Sequence, residues 1–453
     1  FSSPVSVSEC GVQIQMEKLH VDIIERVKVA PCLPSSKEIL QLSSLDNILR
    51  CYVSVLFVYD RVSTVSANPA KTIREALSKV LVYYSPFAGR LRNKENGDLE
   101  VECSGEGAVF VEAMADNELS VLQDLDEYCT SLKQLIFTVP MDTKIEDLHL
   151  LSVQVTSFTC GGFVVGISFY HTICDGKGLG QFLQGMSEIS KGAFKPSLEP
   201  VWNREMVKPE HLMFLQFNNF EFVPHPLKFK KIVQASIEIN FETINCIKRC
   251  MMEEGKEKCS TFEIVVTLVW LARTKSFQIP HSENVKAMFA VDMKTSFDPR
   301  LPNGYYGNAV GIVGAIDNVK DLLNGSLLRA LIIIRKTIFS FNENFISRML
   351  MKPSTLDVNM KPENIVVFGD WRNLGFHEAD FGCGNPVNVS PMMQQRDEEL
   401  PVYSTFVLLR SSKNMPNGMK IVMFMPATMV KPFEIEMKAA INKYVTRVCC
   451  SKL

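Results

Sequence analysis

The stretch GGFVVGISFYHTICDGKGLG, Gly161 to Gly180, decides how the rest of the chain is read. Its first part is a run of Phe, Val, Ile and Tyr that predicts a strand ending at Tyr170. Over residues 176–190 the apolar spacing changes. Phe182, Leu183, Met186 and Ile189 fall on or near one face, which predicts a helix. His171 thus stands at a strand-to-helix junction, a place that projects a side chain into a cleft rather than into packing. Gly176, Gly178 and Gly180 crowd the turn that follows, and glycine allows close backbone approach to a ligand.

Extended and helical segments alternate on either side. Asn68 is a candidate N-cap with Pro69 at the first helical position. Ile73, Ala76, Leu77, Val80 and Leu81 then form one stripe, and Pro86 ends it. RNKENGDLEVECSGEGAVFVEA reads as a hairpin whose Asn96-Gly97 pair supplies positive φ. Residues 191–230 carry scattered prolines and no clean period, the composition of a long crossover. KIVQASIEIN restarts the extended pattern and a helix over 241–256 follows. Ser260 and Glu263 have capping-box spacing ahead of a buried-type helix. DNVKDLLNGSLLRALIIIRKTIF predicts a helix or helix pair, VYSTFVLLR and GMKIVMFM predict paired strands, and Pro432 is expected to open the last helix. The halves share an order of elements without a readable repeat. An α/β or α+β fold with mixed sheets is expected, and the spacing of the short strands argues against a regular eight-unit barrel. The division expected is an N-terminal domain over 1–190, a linker over 191–230 and a C-terminal domain over 231–453.

The chain has 453 residues, 48 Lys and Arg against 50 Asp and Glu, and a net charge of −2. With no long basic run it offers nothing for a phosphate backbone, so no nucleic-acid partner is expected. Its 13 cysteines are odd in number and lack CxxC spacing, which favours free thiols in a reducing compartment and a cytoplasmic location. No window approaches eighteen uninterrupted apolar residues, so no membrane span is expected. Ser451-Lys452-Leu453 matches the peroxisomal address, an alternative location.

Three readings of His171 compete. A metal site needs three or more protein ligands, and none of the seven histidines comes in a close pair, so no metal is expected. A half-buried histidine satisfied by hydrogen bonds is the bland reading, against which the three glycines weigh. A general base asks only for a neutral imidazole, with a pKa near about 6.5, within reach of a hydroxyl. Asp175 orients that ring or pairs with a cation to lock the loop; Lys294 is the cation named. Cys160 and Cys174 have apolar, strand-like neighbours that favour inert thiols. FTCGG lacks the GxSxG frame of a serine esterase. DFGCG at 380–384 matches the kinase tripeptide without the remaining kinase motifs, and no Gly-rich nucleotide loop follows a strand.

HTICDG, DFGCGNP, YYSPFAGRLR, LSSLDN and LPNGYYGN together resemble the plant BAHD acyltransferases, and ENGDLEVECSGEGAVFVEAMADNELSVL with KPSLEPVWNREMVKPE is similar to the yew taxane O-acyltransferases among them. The likeness covers essentially the whole chain. It implies two similar domains with mixed β-sheets flanked by helices, as in chloramphenicol acetyltransferase, and an active-site tunnel between them. It implies a monomer that uses acyl-CoA as co-substrate, holds no permanent cofactor, and moves an acetyl, benzoyl or phenylpropanoyl group to a taxane hydroxyl. By the same likeness His171 is the general base. Asp175 and Gly176 are structural, with Lys294 where the family has the arginine that pairs with the aspartate. Asp380, Phe381, Gly382 and Gly384 shape a loop on the coenzyme side, in which Cys383 stands where the family has tryptophan. The sequence places no oxyanion donor. A non-catalytic relative that binds small hydrophobic ligands and a CoA-thioester hydrolase stay open as alternatives.

Overall fold

The β-branched and aromatic runs pair into three sheets in the computed structural model, which describes residues 5–7, 19–34, 37–60, 68–122, 130–140, 142–207, 232–255, 258–297, 299–343, 360–392, 404–411, 415 and 417–450. The first part of the chain gives β1 (Val5–Val7), β2 (Val21–Val29), β3 (Ile39–Gln41), α1 (Ser44–Ile48), β4 (Tyr52–Tyr59), α2 (Pro69–Val80), β5 (Arg90–Asn93), β6 (Leu99–Glu102), β7 (Ala108–Ala115), β8 (Leu151–Phe158), β9 (Phe163–Tyr170) and α3 (Gly176–Ser190). The second part gives β10 (Ile232–Asn240), α4 (Phe241–Gly255), α5 (Thr261–Ser276), β11 (Asn284–Asp292), β12 (Val310–Asn318), α6 (Val319–Asn324) and α7 (Leu327–Glu343). It closes with β13 (Ile365–Asp370), β14 (Asn388–Met392), β15 (Thr405–Arg410), β16 (Gly418–Pro426) and α8 (Ala427–Cys450).

One large sheet has the order β14-β4-β9-β8-β7-β2, the other β1-β10-β16-β15-β13-β11-β12, and a small one β3-β6-β5. Both large sheets are mixed. β7 and β8 run parallel in the first, and β11, β13 and β15 run parallel in the second. Helices α2 and α3 cover the first sheet. Trp270 of α5, Ile247 of α4, Ile334 of α7 and Phe433 of α8 are buried with the second. This is the α/β architecture of two mixed sheets flanked by helices. Each large sheet takes a strand from the other part of the chain: β14 pairs antiparallel with β4, setting Val389 opposite Phe57, and β1 pairs with β10.

Local chemistry sets the element ends. The Asn68 side chain accepts from Lys71 N–H, Pro69 opens α2, and Gly97 takes φ 84° in the hairpin loop between β5 and β6. Ser260 and Glu263 form the reciprocal capping box of α5. The last helix differs from expectation: α8 begins at Ala427 and Pro432 lies inside it. The apolar series Val430, Phe433, Met437 and Ile441 is buried across the proline, so core packing carries the helix past the lost backbone donor. Residues 208–231, which take in the expected crossover from 208 to its end at 230, and residues 451–453 lie outside the described residues. No described helix is long and apolar enough to cross a membrane.

The two sheets meet through a shared core. Tyr306, Phe376, Phe381, Leu409 and Val422, all from the second part, belong to the same buried cluster as β4, β9 and α3. That seam positions the histidine turn.

Candidate active site

Strand β9 is buried along its whole length, as a central strand flanked by β4 and β8 must be. It ends where Tyr170 N–H donates to Leu150 O at 3.0 Å and His171 N–H donates to Cys51 O at 2.7 Å. Ile173 N–H then turns back to Tyr170 O at 3.0 Å, and Thr172 Oγ1 donates to Leu49 O at 3.0 Å. His171 and Thr172 are thus tied to the segment that follows α1, and Ile173 closes the turn on Tyr170.

Asp175 begins α3. Its Oδ1 accepts from Gly178 N–H at 2.9 Å, an N-cap, and its Oδ2 accepts from Ala309 N–H at 3.1 Å. Both carboxylate oxygens are therefore engaged by backbone donors. The pairing expected between Asp175 and Lys294 is not a direct contact. Lys294 Nζ donates to Tyr305 O at 2.7 Å, and its own N–H donates to Asp292 Oδ1 at 3.0 Å. Lys294 senses Asp175 only through the field: burial lowers its pKa and the carboxylate opposes that shift.

The cation that locks the turn is Arg204. Its Nη2 donates to Ile173 O at 2.7 Å, and its Nε lies 3.0 Å from Asp46 Oδ2, with both side chains sealed from solvent at 1% and 0% exposure. The guanidinium stacks over Trp202, 4.0 Å from the ring centre, and lies near Tyr305 and Tyr306. Burial works against its charge, but Asp46 and the two phenols outweigh it and leave the pKa raised. Asp46 also caps α1 by accepting from Ser43 N–H at 2.9 Å and Ser43 Oγ at 2.7 Å. Asn308 completes the set. Its Nδ2 donates to Asp46 Oδ1 at 2.7 Å and to His171 O at 2.8 Å. Three segments far apart in sequence thus grip the backbone of the turn.

The glycines have a different reason from the one read in the sequence. A Cβ on Gly178 would sit 2.0 Å from Tyr306 O, one on Gly180 would sit 1.6 Å from Leu374 O, and one on Gly176 would meet the Leu374 side chain at 2.6 Å. The close approach at Gly178 and Gly180 is to protein backbone. It lets α3 pack against the second part of the chain.

His171 is partly accessible and faces a cavity of about 290 Å³. Leu45 of α1, Leu49 just past its end and Gly176 line it from one part of the chain; Ala290 of β11, Ile312 of β12 and Trp371 line it from the other. Lys177 and Asp292 also line it and form an ion pair across the seam. Burial pushes the imidazole pKa below 6.5, with Asp175 opposing, so the ring is neutral at neutral pH. Phe169 stands beside it, ring centres 5.8 Å apart.

The DFG loop lies elsewhere. Asp380 Oδ1 accepts from the backbone N–H groups of Gly382, Cys383 and Gly384 at 2.8–3.0 Å, and Lys191 pairs with its other oxygen at 3.2 Å. Gly382 and Gly384 take φ of 87° and 85°, values that favour glycine. Phe381 is buried beside Tyr59, whose hydroxyl donates to Ala379 O at 2.6 Å. None of Asp380, Phe381, Gly382 and Gly384 lines the His171 cavity; the loop ties α3 and β4 to the region after β13. Cys174 is fully buried with its thiol pKa raised by burial, and Cys160 accepts from Leu119 N–H. Among the described residues, His20, Asp22 and Asp116 bring ligand atoms within 4.8 Å of one another, all exposed, at the end of the first sheet opposite His171.

Asp46, Arg204 and Asn308 were not singled out from the sequence. Their signal was present in LSSLDN, VWNREM and LPNGYYGN, each a polar residue inside a block whose neighbours become core.

The model of the Transferase family matches residues 19–440. The chain is 67% identical to 2-alpha-hydroxytaxane 2-O-benzoyltransferase of Taxus cuspidata, over 97% of this chain and 100% of that one. It is 58% identical to baccatin III:3-amino-3-phenylpropanoyltransferase of the same species, over 96% and 98%. The crystal structure of vinorine synthase superposes with a TM-score of 0.75 at 20% identity, covering 93% of this chain and 98% of that one, a likeness of fold.

Proposed function

The chain belongs to the BAHD acyl-CoA-dependent acyltransferases of the Transferase family, and on that premise we propose that it moves an acyl group from coenzyme A to a hydroxyl of a taxane diterpenoid. Benzoyl is the acyl group proposed first, because the 67% identical relative is named for it; phenylpropanoyl and acetyl are the alternatives.

The observation that carries this reading is a neutral, accessible imidazole in a cavity walled by both parts of the chain. The acceptor hydroxyl and the thioester meet at His171. The imidazole takes the hydroxyl proton as the oxygen attacks the thioester carbonyl, and a tetrahedral intermediate forms. The C–S bond then breaks and the imidazolium returns the proton to the departing sulfur. No acyl-enzyme is needed. Asp175 accepts from a backbone N–H on each oxygen and makes no hydrogen bond to His171 among the described residues, so its part is to hold the turn and, through its charge, to support the imidazolium. The apolar walls from Leu45, Leu49, Ile312 and Trp371 suit a bulky hydrocarbon acceptor and exclude water from the thioester.

Domain boundaries at 190 and 231, a monomeric state and a coenzyme-side role for the DFG loop belong to the same proposal. So does a cytoplasmic location, with peroxisomal import through Ser451–Leu453 as its alternative, separable by imaging tagged chains with and without the tripeptide. The function is tested by incubating the protein with benzoyl-, phenylpropanoyl- and acetyl-CoA and partly deacylated taxanes, reading products by mass spectrometry. An ester that forms only with both substrates present supports the proposal. Free acid released equally with and without the alcohol would make the protein a thioester hydrolase, and no turnover would make it a non-catalytic relative.

A further inference from the structure

A second cavity, of about 330 Å³, opens at the edge of the first sheet between β2, β7 and the segment leading into β8, and shares no lining residue with the His171 cavity. Val109, Phe137 and Val139 give it an apolar wall. Arg26, Lys28, Asp147 and His149 bring charged and polar atoms to it.

The charges do not balance there. Arg26 has no carboxylate partner among the described residues, and its guanidinium lies 5.9 Å from the centre of the Phe137 ring. Lys28 and the buried Arg90 converge on a single oxygen of Glu106, at 3.2 and 2.9 Å. The lining itself holds two cations, Arg26 and Lys28, and one carboxylate, Asp147, while Arg90 and Glu106 pair beside it. His149 Nδ1 is buried and has no hydrogen-bond partner among the described residues, a condition that native structures rarely leave unmet. Burial, with Arg90 and Lys28 nearby, pushes the His149 imidazole down to about 4, so the ring is neutral and keeps one N–H donor.

We propose that this cavity binds a small organic monocarboxylate with an apolar body, a single-ring or short-chain acid. The carboxylate takes the charge left over at Arg26 and the hydrogen bond left unmade at His149. The apolar body lies against Phe137, Val109 and Val139. Two oxygens on a planar anion suit the guanidinium fork. The site adjoins the catalytic turn: Tyr52 Oη donates to His149 O at 2.7 Å, the Tyr52 ring packs edge-on against Tyr170 at 5.0 Å, and Leu150 O accepts from Tyr170 N–H. An acid bound there contacts His149, whose carbonyl is tied through Tyr52 to the strand pair that carries His171. The inference stands whichever acceptor or acyl group the enzyme uses.

Isothermal titration of the full chain with benzoate and with hexanoate tests it, using benzyl alcohol as the uncharged control. The expected result is saturable one-site binding of both acids, weakened roughly tenfold or more in Arg26→Gln, whose turnover stays at wild-type level because the residue is exposed and remote from the thioester. His149→Phe is expected to weaken the acids while leaving benzyl alcohol unaffected. Saturating coenzyme A is expected to leave the acid affinity unchanged. Absence of saturable binding, equal affinity in Arg26→Gln, or displacement by coenzyme A would overturn the proposal.

Discussion

Arg204→Met is the most informative perturbation of the scaffold. Methionine keeps an unbranched apolar stem but removes the charge facing Asp46 and the 2.7 Å bond to Ile173 O. The carboxylate left behind is 0% exposed and cannot be solvated without opening the seam. Breaking a buried pair from one side costs about 3–5 kcal/mol. At about 2.1 cal/mol/K per residue, 453 residues unfolding as one unit give an entropy near about 950 cal/mol/K, so the expected fall in Tm is about 3–5 °C. Turnover is expected to fall about tenfold or more, because Ile173 lies in the turn that aims His171. KM for the thioester should change little. Adding Asp46→Asn to Arg204→Met removes the stranded charge, and the double variant should melt above the sum of the single effects by a coupling of about 1–3 kcal/mol. Scanning calorimetry and steady-state kinetics on the four proteins measure this. An Arg204→Met protein that melts within about 1 °C of wild type and keeps its turnover would refute the reasoning.

Gly180→Ala is expected to yield little folded protein, since its Cβ would overlap Leu374 O at 1.6 Å, whereas Gly192→Ala, with open space around it, loses only the cost of its positive φ, about 1 kcal/mol; soluble yield and Tm distinguish them. Log kcat/KM is expected to stay flat from pH 8 to about 6.5 and to fall only below that, because the base must be neutral and burial holds its pKa below 6.5; a midpoint at or above 6.5 would contradict this. Asp175→Asn removes the charge that opposes the shift and should move the acid limb further down. His377 is pushed down to about 4 by burial and Arg410, so its neutral form contributes stability that is fully present above pH 6.5 and is lost as pH falls toward 4; His377→Gln should show a smaller drop in Tm over that window, and an equal drop would count against it.

Elements whose ends are set by neighbouring residues were legible in the chain. β9 and α3 followed from an apolar run and a change of period, the cap at Asn68 from the proline beside it, and the cap at Ser260 from the glutamate three residues on. The place of His171 between β9 and α3 was legible because the turn concentrates its signal within a few residues. What was not legible depends on distance. β14 pairs with β4 across more than three hundred residues, and no local pattern in Asn388–Met392 names its partner. Lys294 was read as the cation for Asp175 because likeness supplies a position but not a rotamer; its ammonium instead reaches Tyr305 O, and the buried guanidinium at the turn comes from Arg204, which lay in the expected crossover. Pro432 was read as a helix start because proline favours that place, yet burial of Val430 and Phe433 extends α8 to either side. The glycines were read as making room for ligand, and only the folded chain shows Tyr306 and Leu374 filling that room.

The central claim is that a neutral His171 removes the acceptor proton in a complex holding both substrates. Turnover of His171→Ala with benzoyl-CoA and a partly deacylated taxane, measured on protein shown to retain wild-type Tm and coenzyme A affinity, tests it most directly. A fall of about two to four decades in kcat is predicted. A folded, coenzyme-binding His171→Ala enzyme that turns over within about threefold of wild type would contradict it.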